Sequence, residues 1–496
     1  MTTLQPRPPY TQEELEKLYP KELQLQLVQV FLRHGERTPV NNRFQNTGLA
    51  QYWPYCSSAR RMRAIAASKE DLSTWDTWKW QRKMEGLGVN DDPILARGPN
   101  GEDHSICTLG ELTDKGRQTT YALGQRLRHL YVTQLGFMPE IRSNTDDLYL
   151  RSTPIPRALE SLQSAFWGMY PPPTRTATFT TPTVIMREFG EETLFPNEAG
   201  CRRFRQLAHL FADEAARQWN DSPEMDYINS KISKYMPPAT PRVAVDGHPR
   251  LSGVMDTLNA SLAHGAETRL PSEFYDEKVR ENIDKISVQE WFAGYREDVE
   301  YRRLGIGGLW GDITRRMEQA ALKGGWRPGI NVNDGDAKKQ NGNENSPAVK
   351  MALSGCHDTT LASLLASVGA YDNEKWPPFT SSVAVELFRR ASSPDTPVPE
   401  ASNSLISRLT GSSAASEKAK QAALENHFVR IRFNDKIMRV PGCALPGNHL
   451  EGDTSFCTLK AFMEITEKFR PKDWKAECRM NLDKGPYQEG RERAGY

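Results

Sequence analysis

At 496 residues the chain is longer than one ordinary domain, and with 38% hydrophobic and 26% charged residues it has the composition of a globular protein, not a disordered one. Its 64 basic and 63 acidic residues leave a formal charge of +1, which excludes a global field for nucleic acid or an anionic membrane, so any anion site must be local. No apolar run nears the roughly 18 residues that a membrane-crossing helix needs, and no transmembrane segment is expected. The start of the chain has no continuous apolar region of the signal-peptide kind and carries Glu13, Glu14, Glu16 and Glu22, unlike an Arg-rich transit peptide. A cytoplasmic location is the default expectation, with mitochondrial association less favoured. Seven scattered cysteines then read as reduced thiols, and without a CxxC pair or a zinc spacing no metal site is expected.

In chain order, the spacing predicts a short helix over Gln12 to Leu18, ended by Pro20. Leu23, Leu25 and Leu27 alternate with polar residues before Val28, Val30, Phe31 and Leu32 make a strand buried on both faces. That strand closes on Arg33, His34, Gly35 and Arg37, two guanidiniums flanking an imidazole, with a glycine that permits close backbone approach. Taken alone, the cluster reads equally as a phosphate holder or as a solvated loop. Residues 41–105 are broken by Pro, Gly and Asn, and Trp75, Trp78 and Trp80 read as packing. Leu109 to Tyr131 reads as helix, with Thr113 as its N-cap.

Asp147 to Leu150 is a second strand, ending in Arg151. A helix follows, capped by Ser152 or Thr153, with Pro154 in its first turn and Leu159, Leu162, Phe166 and Met169 on its apolar face. Thr176 to Arg187 reads as a third strand. From 188 to 329 the pattern turns helical, over Cys201 to Trp219, Leu251 to Ala263, Tyr275 to Tyr295 and Leu304 to Lys323. This is expected to be an inserted helical cap or substrate domain, splitting an α/β catalytic domain into 1–187 and 330–496. Asn331 to Pro347 is polar and aperiodic. Val349 to Leu353 is another strand, followed by Cys356, His357 and Asp358 and a helix stopped by Gly369. Val383 to Phe388 and Phe428 to Phe433 are further strands, separated by a Ser, Ala and Pro-rich excursion.

The carboxyl ends of parallel strands share one edge of a sheet, so three such ends would gather Arg33, His34, Arg37, Arg151, His357 and Asp358. That concentration of positive charge calls for an anion, and helix N-termini beside it favour phosphate. RHGERTP, Arg33 to Pro39, resembles the RHGxRxP signature of the histidine acid phosphatases, one branch of the histidine phosphatase superfamily. LYLRSTPIPRALES resembles that family's second arginine segment and SGCHDTTLASLL its His-Asp segment, in the same order and at similarly wide spacing. GELTDKGRQTTYALGQRLR and the RST segment look most like the lysophosphatidic acid phosphatase type.

The resemblance implies a phosphoglycerate-mutase-like α/β fold with a mainly parallel central sheet flanked by helices. It also implies a phosphomonoesterase acting on small phosphate esters, lysophosphatidic acid among the candidates. His34 would be the nucleophile that becomes a phosphohistidine, and Asp358 the acid and then the base. Arg33, Arg37, Arg151 and His357 would bind the phosphate, with no metal and no cofactor. Activity at mildly acidic pH is the expected consequence. Pro154 stands where relatives often have Asp, and Cys356 replaces a small residue. Cys443 and Cys457 lie where secreted relatives form a disulfide; here they are expected to be reduced. A pseudoenzyme that keeps the pocket for recognition, or a phosphohistidine mutase, remains the alternative.

Overall fold

The computed structural model describes residues 2–57, 83–87, 92–328, 347–393 and 412–496. The Trp75 to Trp80 cluster and most of the Asn331 to Pro347 stretch lie outside them. Helix α1 (Gln12–Leu18) forms as expected, closed by a capping box between Thr11 and Glu14. Strand β1 (Leu23–Arg33) follows, and its residues from Leu27 onward are all buried. A hairpin of β2 (Glu85–Leu87) and β3 (Pro93–Leu95) precedes α2 (Asp114–Arg128), where the Thr113 hydroxyl accepts from Gly116 N–H as the N-cap reading requires.

Strand β4 (Leu148–Ser152) leads to α3 (Pro156–Met169), which starts later than the sequence reading placed it. Ile155 is the N-cap, and Pro156, not Pro154, opens the first turn. The strand expected over Thr176 to Arg187 shrinks to β5 (Val184–Ile185). The helical stretch holds α4 (Arg202–Trp219), α5 (Pro223–Ile232), α6 (Leu251–Ala263), α7 (Glu277–Glu297), α8 (Val299–Arg302) and α9 (Gly308–Lys323). Then come β6 (Met351–Cys356), α10 (Asp358–Ser367), β7 (Ser382–Arg390), α11 (Ser412–Glu425) and β8 (His427–Phe433). The chain continues through β9 (Lys436–Met438), β10 (His449–Leu450), β11 (Asp453–Thr458) and α12 (Leu459–Glu467).

The main sheet runs β10-β11-β8-β7-β1-β6-β4-β5, with β9 beside β8. The central strands β1, β6, β4 and β5 are parallel, and β7 and β8 extend the sheet antiparallel from β1. Strand β6 enters between β1 and β4, with Arg33 opposite Cys356 and Ser152 opposite Gly355, so three carboxyl ends lie side by side. This is the α/β architecture expected.

The period of two along β1 separates two cores. Leu27 and Phe31 join Phe204, Ile286, Trp310 and Leu361, so helices α4, α7, α9 and α10 share one core with this face of the sheet. Val28, Val30 and Leu32 point the other way, into Leu123, Leu127 and Leu162 of α2 and α3. Gln29 interrupts the first face but is satisfied there: its amide donates to Ile313 O (3.2 Å) and its carbonyl accepts from Arg316 Nη1 (3.2 Å).

The expectation of reduced thiols is corrected. Cys56–Cys107, Cys201–Cys478 and Cys443–Cys457 are disulfides, with Cα separations of 5.2, 4.9 and 5.1 Å, and Cys356 alone is free and buried. Two of the pairs close sequence separations of 51 and 277, which only the fold brings together. Among the described residues no helix is long and apolar enough to cross a membrane.

Candidate active site

His34 follows β1 directly and is buried, as are Arg33 and Arg37. Gly35 is needed there because a Cβ would run into the Gly116 carbonyl oxygen of α2, and its N–H donates to Ser161 Oγ of α3 (3.1 Å). The loop is therefore wedged between the two helices. His34 Nδ1 lies 2.9 Å from Gly35 O. A carbonyl only accepts, so Nδ1 carries the proton and Nε2 keeps its lone pair. Burial first, then Arg157, Arg33, Arg37 and His357, hold the His34 pKa well below the ordinary histidine value. The imidazole is neutral.

His357 sits at the N-cap of α10, its ring centroid 5.5 Å from that of His34 and its Nε2 3.1 Å from Thr153 Oγ1. Burial and Arg157 lower its pKa too, against the opposing pull of Asp358. Asp358 begins α10, where the helix N-terminus favours negative charge. Its Oδ2 is 2.7 Å from Arg33 Nη2 and accepts from Trp376 Nε1 at 3.0 Å, while Oδ1 accepts from Thr359 N–H at 2.9 Å. Burial opposes its ionisation, but Arg33, the Trp376 indole and Arg37 outweigh it and hold its pKa below the usual carboxylate value.

The structure brings Arg33, His34, Arg37, His357 and Asp358 together and places Arg151 elsewhere. Both terminal nitrogens of Arg151 are occupied, by Glu192, by Thr193 Oγ1 at 3.1 Å and by Asp312 Oδ2 at 3.3 Å, in a buried cluster against the insertion. Sequence reasoning missed Arg157, six positions on in the same LYLRSTPIPRALES segment. It lies in the first turn of α3, one turn before Ser161, which holds Gly35. Among charged groups it acts most strongly on both histidines, and burial pushes its own pKa down to about 10. The signal for it was its place in the first turn of a helix opening on the sheet edge.

Arg33, Arg37 and Arg157 each keep a buried Nε with no hydrogen-bond partner; Arg151 does too, and what sets the three apart is that their charges act on His34 and His357. Asp256 of α6, not foreseen from sequence, takes Arg37 Nη1 at 2.7 Å, Arg43 Nη1 at 3.3 Å and Val40 N–H at 3.0 Å. Beyond these charges a cavity of about 230 Å³ opens between Arg33, Arg37 and Asp358 on one side and Met255, Trp291 and Phe379 on the other.

The model of the histidine phosphatase superfamily, branch 2, matches residues 24–434. A Schizosaccharomyces pombe protein described as a probable acid phosphatase is 34% identical over 472 residues, 93% of this chain and 95% of that one. Human lysophosphatidic acid phosphatase type 6 is 24% identical over 385 residues, 75% of each chain. Among solved structures, Hafnia alvei phytase with myo-inositol hexakis sulphate aligns over 93% of this chain and 100% of its own, with a TM-score of 0.54 and 12% identity. Bifidobacterium longum multiple inositol polyphosphate phosphatase covers 96% and 99%, with a TM-score of 0.51 and 11% identity. Matched by one family model along most of its length, and similar over 93% of it to a probable acid phosphatase, the chain belongs to branch 2 of the histidine phosphatase superfamily.

Proposed function

We propose that this phosphoric monoester hydrolase works through a phosphohistidine at His34. The observation that carries the reading is a neutral imidazole whose proton is committed to Nδ1, set beside the guanidiniums of Arg33, Arg37 and Arg157, whose charges hold its pKa down. Nε2 attacks phosphorus, forming the P–N bond as the ester P–O bond breaks, and Asp358 gives its proton to the departing alkoxide. Water then attacks the phosphohistidine and passes a proton to the Asp358 carboxylate. The P–N bond breaks, releasing inorganic phosphate and restoring His34. Arg33, Arg37 and Arg157 stabilise the charge on the transferring oxygens, and His357 donates to them. Arg151 braces the strand end from outside the clamp.

The substrate fits as a small monoester with an apolar portion, because Met255, Trp291, Trp376 and Phe379 wall the cavity beside the phosphate end. Lysophosphatidic acid, named in the human relative, has that form. Helices α6 and α7 supply part of this wall, so the insertion over 188–329 acts as the substrate-side cover. Three disulfides favour an oxidising compartment. Rapid quench of the wild type with a labelled phosphate ester should trap an acid-labile, base-stable phosphoenzyme that His34→Ala does not form. Turnover in His34→Ala within tenfold of wild type would end the proposal.

A further inference from the structure

The segment between α10 and β7 runs Trp376, Pro377, Pro378, Phe379, Thr380, and it reaches four groups of the site. Pro377 O accepts from Arg33 Nη1. The Phe379 ring centroid lies 4.1 Å from the Arg33 guanidinium carbon and 5.7 Å from that of Arg37, as cation–π contacts require. Thr380 N–H donates to His34 O at 3.3 Å. Trp376 Nε1 donates to Asp358 Oδ2. The segment is pinned from two sides. Phe379 exchanges backbone bonds with Thr2 (2.8 Å) and Leu4 (3.2 Å), and Asp284 of α7 accepts the Trp376 N–H at 3.0 Å. The Trp376 ring packs edge-on to Trp291 at 6.0 Å and against Phe292 at 5.2 Å. Its indole N–H therefore has one fixed direction.

We propose that Trp376 is a positioning residue for Asp358, its indole N–H fixing the carboxylate oxygen Oδ2 in the orientation from which the leaving group receives its proton. This rests on the reading of Asp358 as the acid. Arg33 shares Oδ2, and Thr359 N–H holds Oδ1, so the carboxylate is tied at both oxygens and from three directions. Removing the indole donor leaves Oδ2 on Arg33 alone, a contact that substrate phosphate competes for. The titratable groups facing Asp358 are Arg33 and Arg37 from β1 and its loop, Arg157 from α3, Cys356 and His357 from the end of β6, and Tyr371. Among them the indole acts with Arg33 and Arg37 in favouring the ionised form.

The test compares Trp376→Phe with Trp376→Met, two donor-free variants, so that a failure of either to fold leaves the other. Rates are measured on an alkyl phosphate, whose leaving group needs a proton, and as the phenolate burst on p-nitrophenyl phosphate, whose leaving group does not. The ratio of alkyl to aryl rates is expected to fall about tenfold, the scale of a lost hydrogen bond to a charged group. The alkaline limb of the alkyl-phosphate profile should rise by about one pH unit, because a carboxylate with one donor fewer keeps its proton longer. Equal losses on both substrates with an unmoved limb would overturn the proposal and leave Trp376 a packing residue. Asp358→Asn, run in parallel, separates the two levels. If it too leaves the ratio unchanged, the acid assignment fails. If it collapses the ratio while the Trp376 variants do not, only the positioning role fails.

Discussion

Arg151 and Arg157 sit six positions apart in one segment, and the structure assigns them opposite consequences. Arg157→Gln removes a guanidinium whose Nε has no partner and whose charge leans on both histidines. Charge-assisted hydrogen bonds to a phosphoryl group are worth about 1.5–3 kcal/mol each, so losing a two-pronged contact should lower kcat/KM by about 10²- to 10⁴-fold. Folding should suffer little, since Arg157 is only partly buried and its Nε has no hydrogen-bond partner to lose. The acid limb of the rate profile should move upward, because Arg157 depresses the His34 pKa and its loss lets that imidazole protonate sooner. Arg151→Gln strips the buried Glu192 carboxylate of its cation, while Asp312 keeps Arg187 at 2.8 Å, and the uncompensated Glu192 charge should cost about 3–5 kcal/mol of stability. Its folded fraction should keep kcat/KM within about fivefold of wild type. Urea titrations and steady-state rates at several pH values on both variants decide the matter. A well-folded, inactive Arg151→Gln beside an active Arg157→Gln would refute the reassignment and restore Arg151 to the clamp.

Gly35→Ala should abolish activity, with the loss read as phosphate release per folded molecule, because its Cβ has nowhere to go but into the Gly116 backbone. Glu386, buried between Arg430 (2.8 Å) and Arg432 (3.2 Å), has its pKa brought down to about 2 by the two guanidiniums, against burial that opposes it. A carboxylate depressed in the folded state contributes stability above its unfolded pKa and loses it as pH falls through the folded one, so urea midpoints should drop between about pH 5 and pH 2, by about 3 kcal/mol in all. Glu386→Gln should flatten that drop and destabilise the protein at neutral pH. Thiol counting under denaturing, non-reducing conditions should find Cys356 alone, and reduction should expose all seven cysteines; seven without reductant would dispose of the disulfides.

Much of the fold was legible because its signals are local. The Leu23 to Leu32 run, the Thr113 cap and the Leu251 to Ala263 helix each carry a period or a stop that neighbouring residues decide. What escaped depends on partners distant in sequence. Thr176 to Arg187 has strand-like composition, but only Val184 and Ile185 pair as a strand, along β4. Cys201 meets Cys478 only when the tail crosses the insertion. In the site, His34, His357 and Asp358 are announced by strand ends, whereas Trp376 and Asp256 reach it from a loop and from the insertion, with no motif to mark them. Arg151 was favoured over Arg157 because a residue ending a strand looks aimed at the sheet edge. Glu192 and Asp312, which claim it, are invisible until the chain folds.

The resting charges of the site explain why acid is the expected working range. Burial and three arginines keep His34 unprotonated far into acid, so the nucleophile survives where an ordinary histidine would be a cation. Arg33, the Trp376 indole and Arg37 keep Asp358 ionised against its burial, so the free enzyme holds no proton for the leaving group. A phosphate ester reverses this second effect. On the proposed mechanism its oxygens would draw Arg33 and Arg37 away from the carboxylate and set a like charge beside it, and both changes would raise the Asp358 proton affinity. Below about pH 6 the ester also arrives as a monoanion carrying the proton that Asp358 needs. The lower edge of the working range is then set by His34 and the upper edge by the ester and Asp358. In the proposed mechanism it is substrate binding, not the empty site, that makes Asp358 an acid.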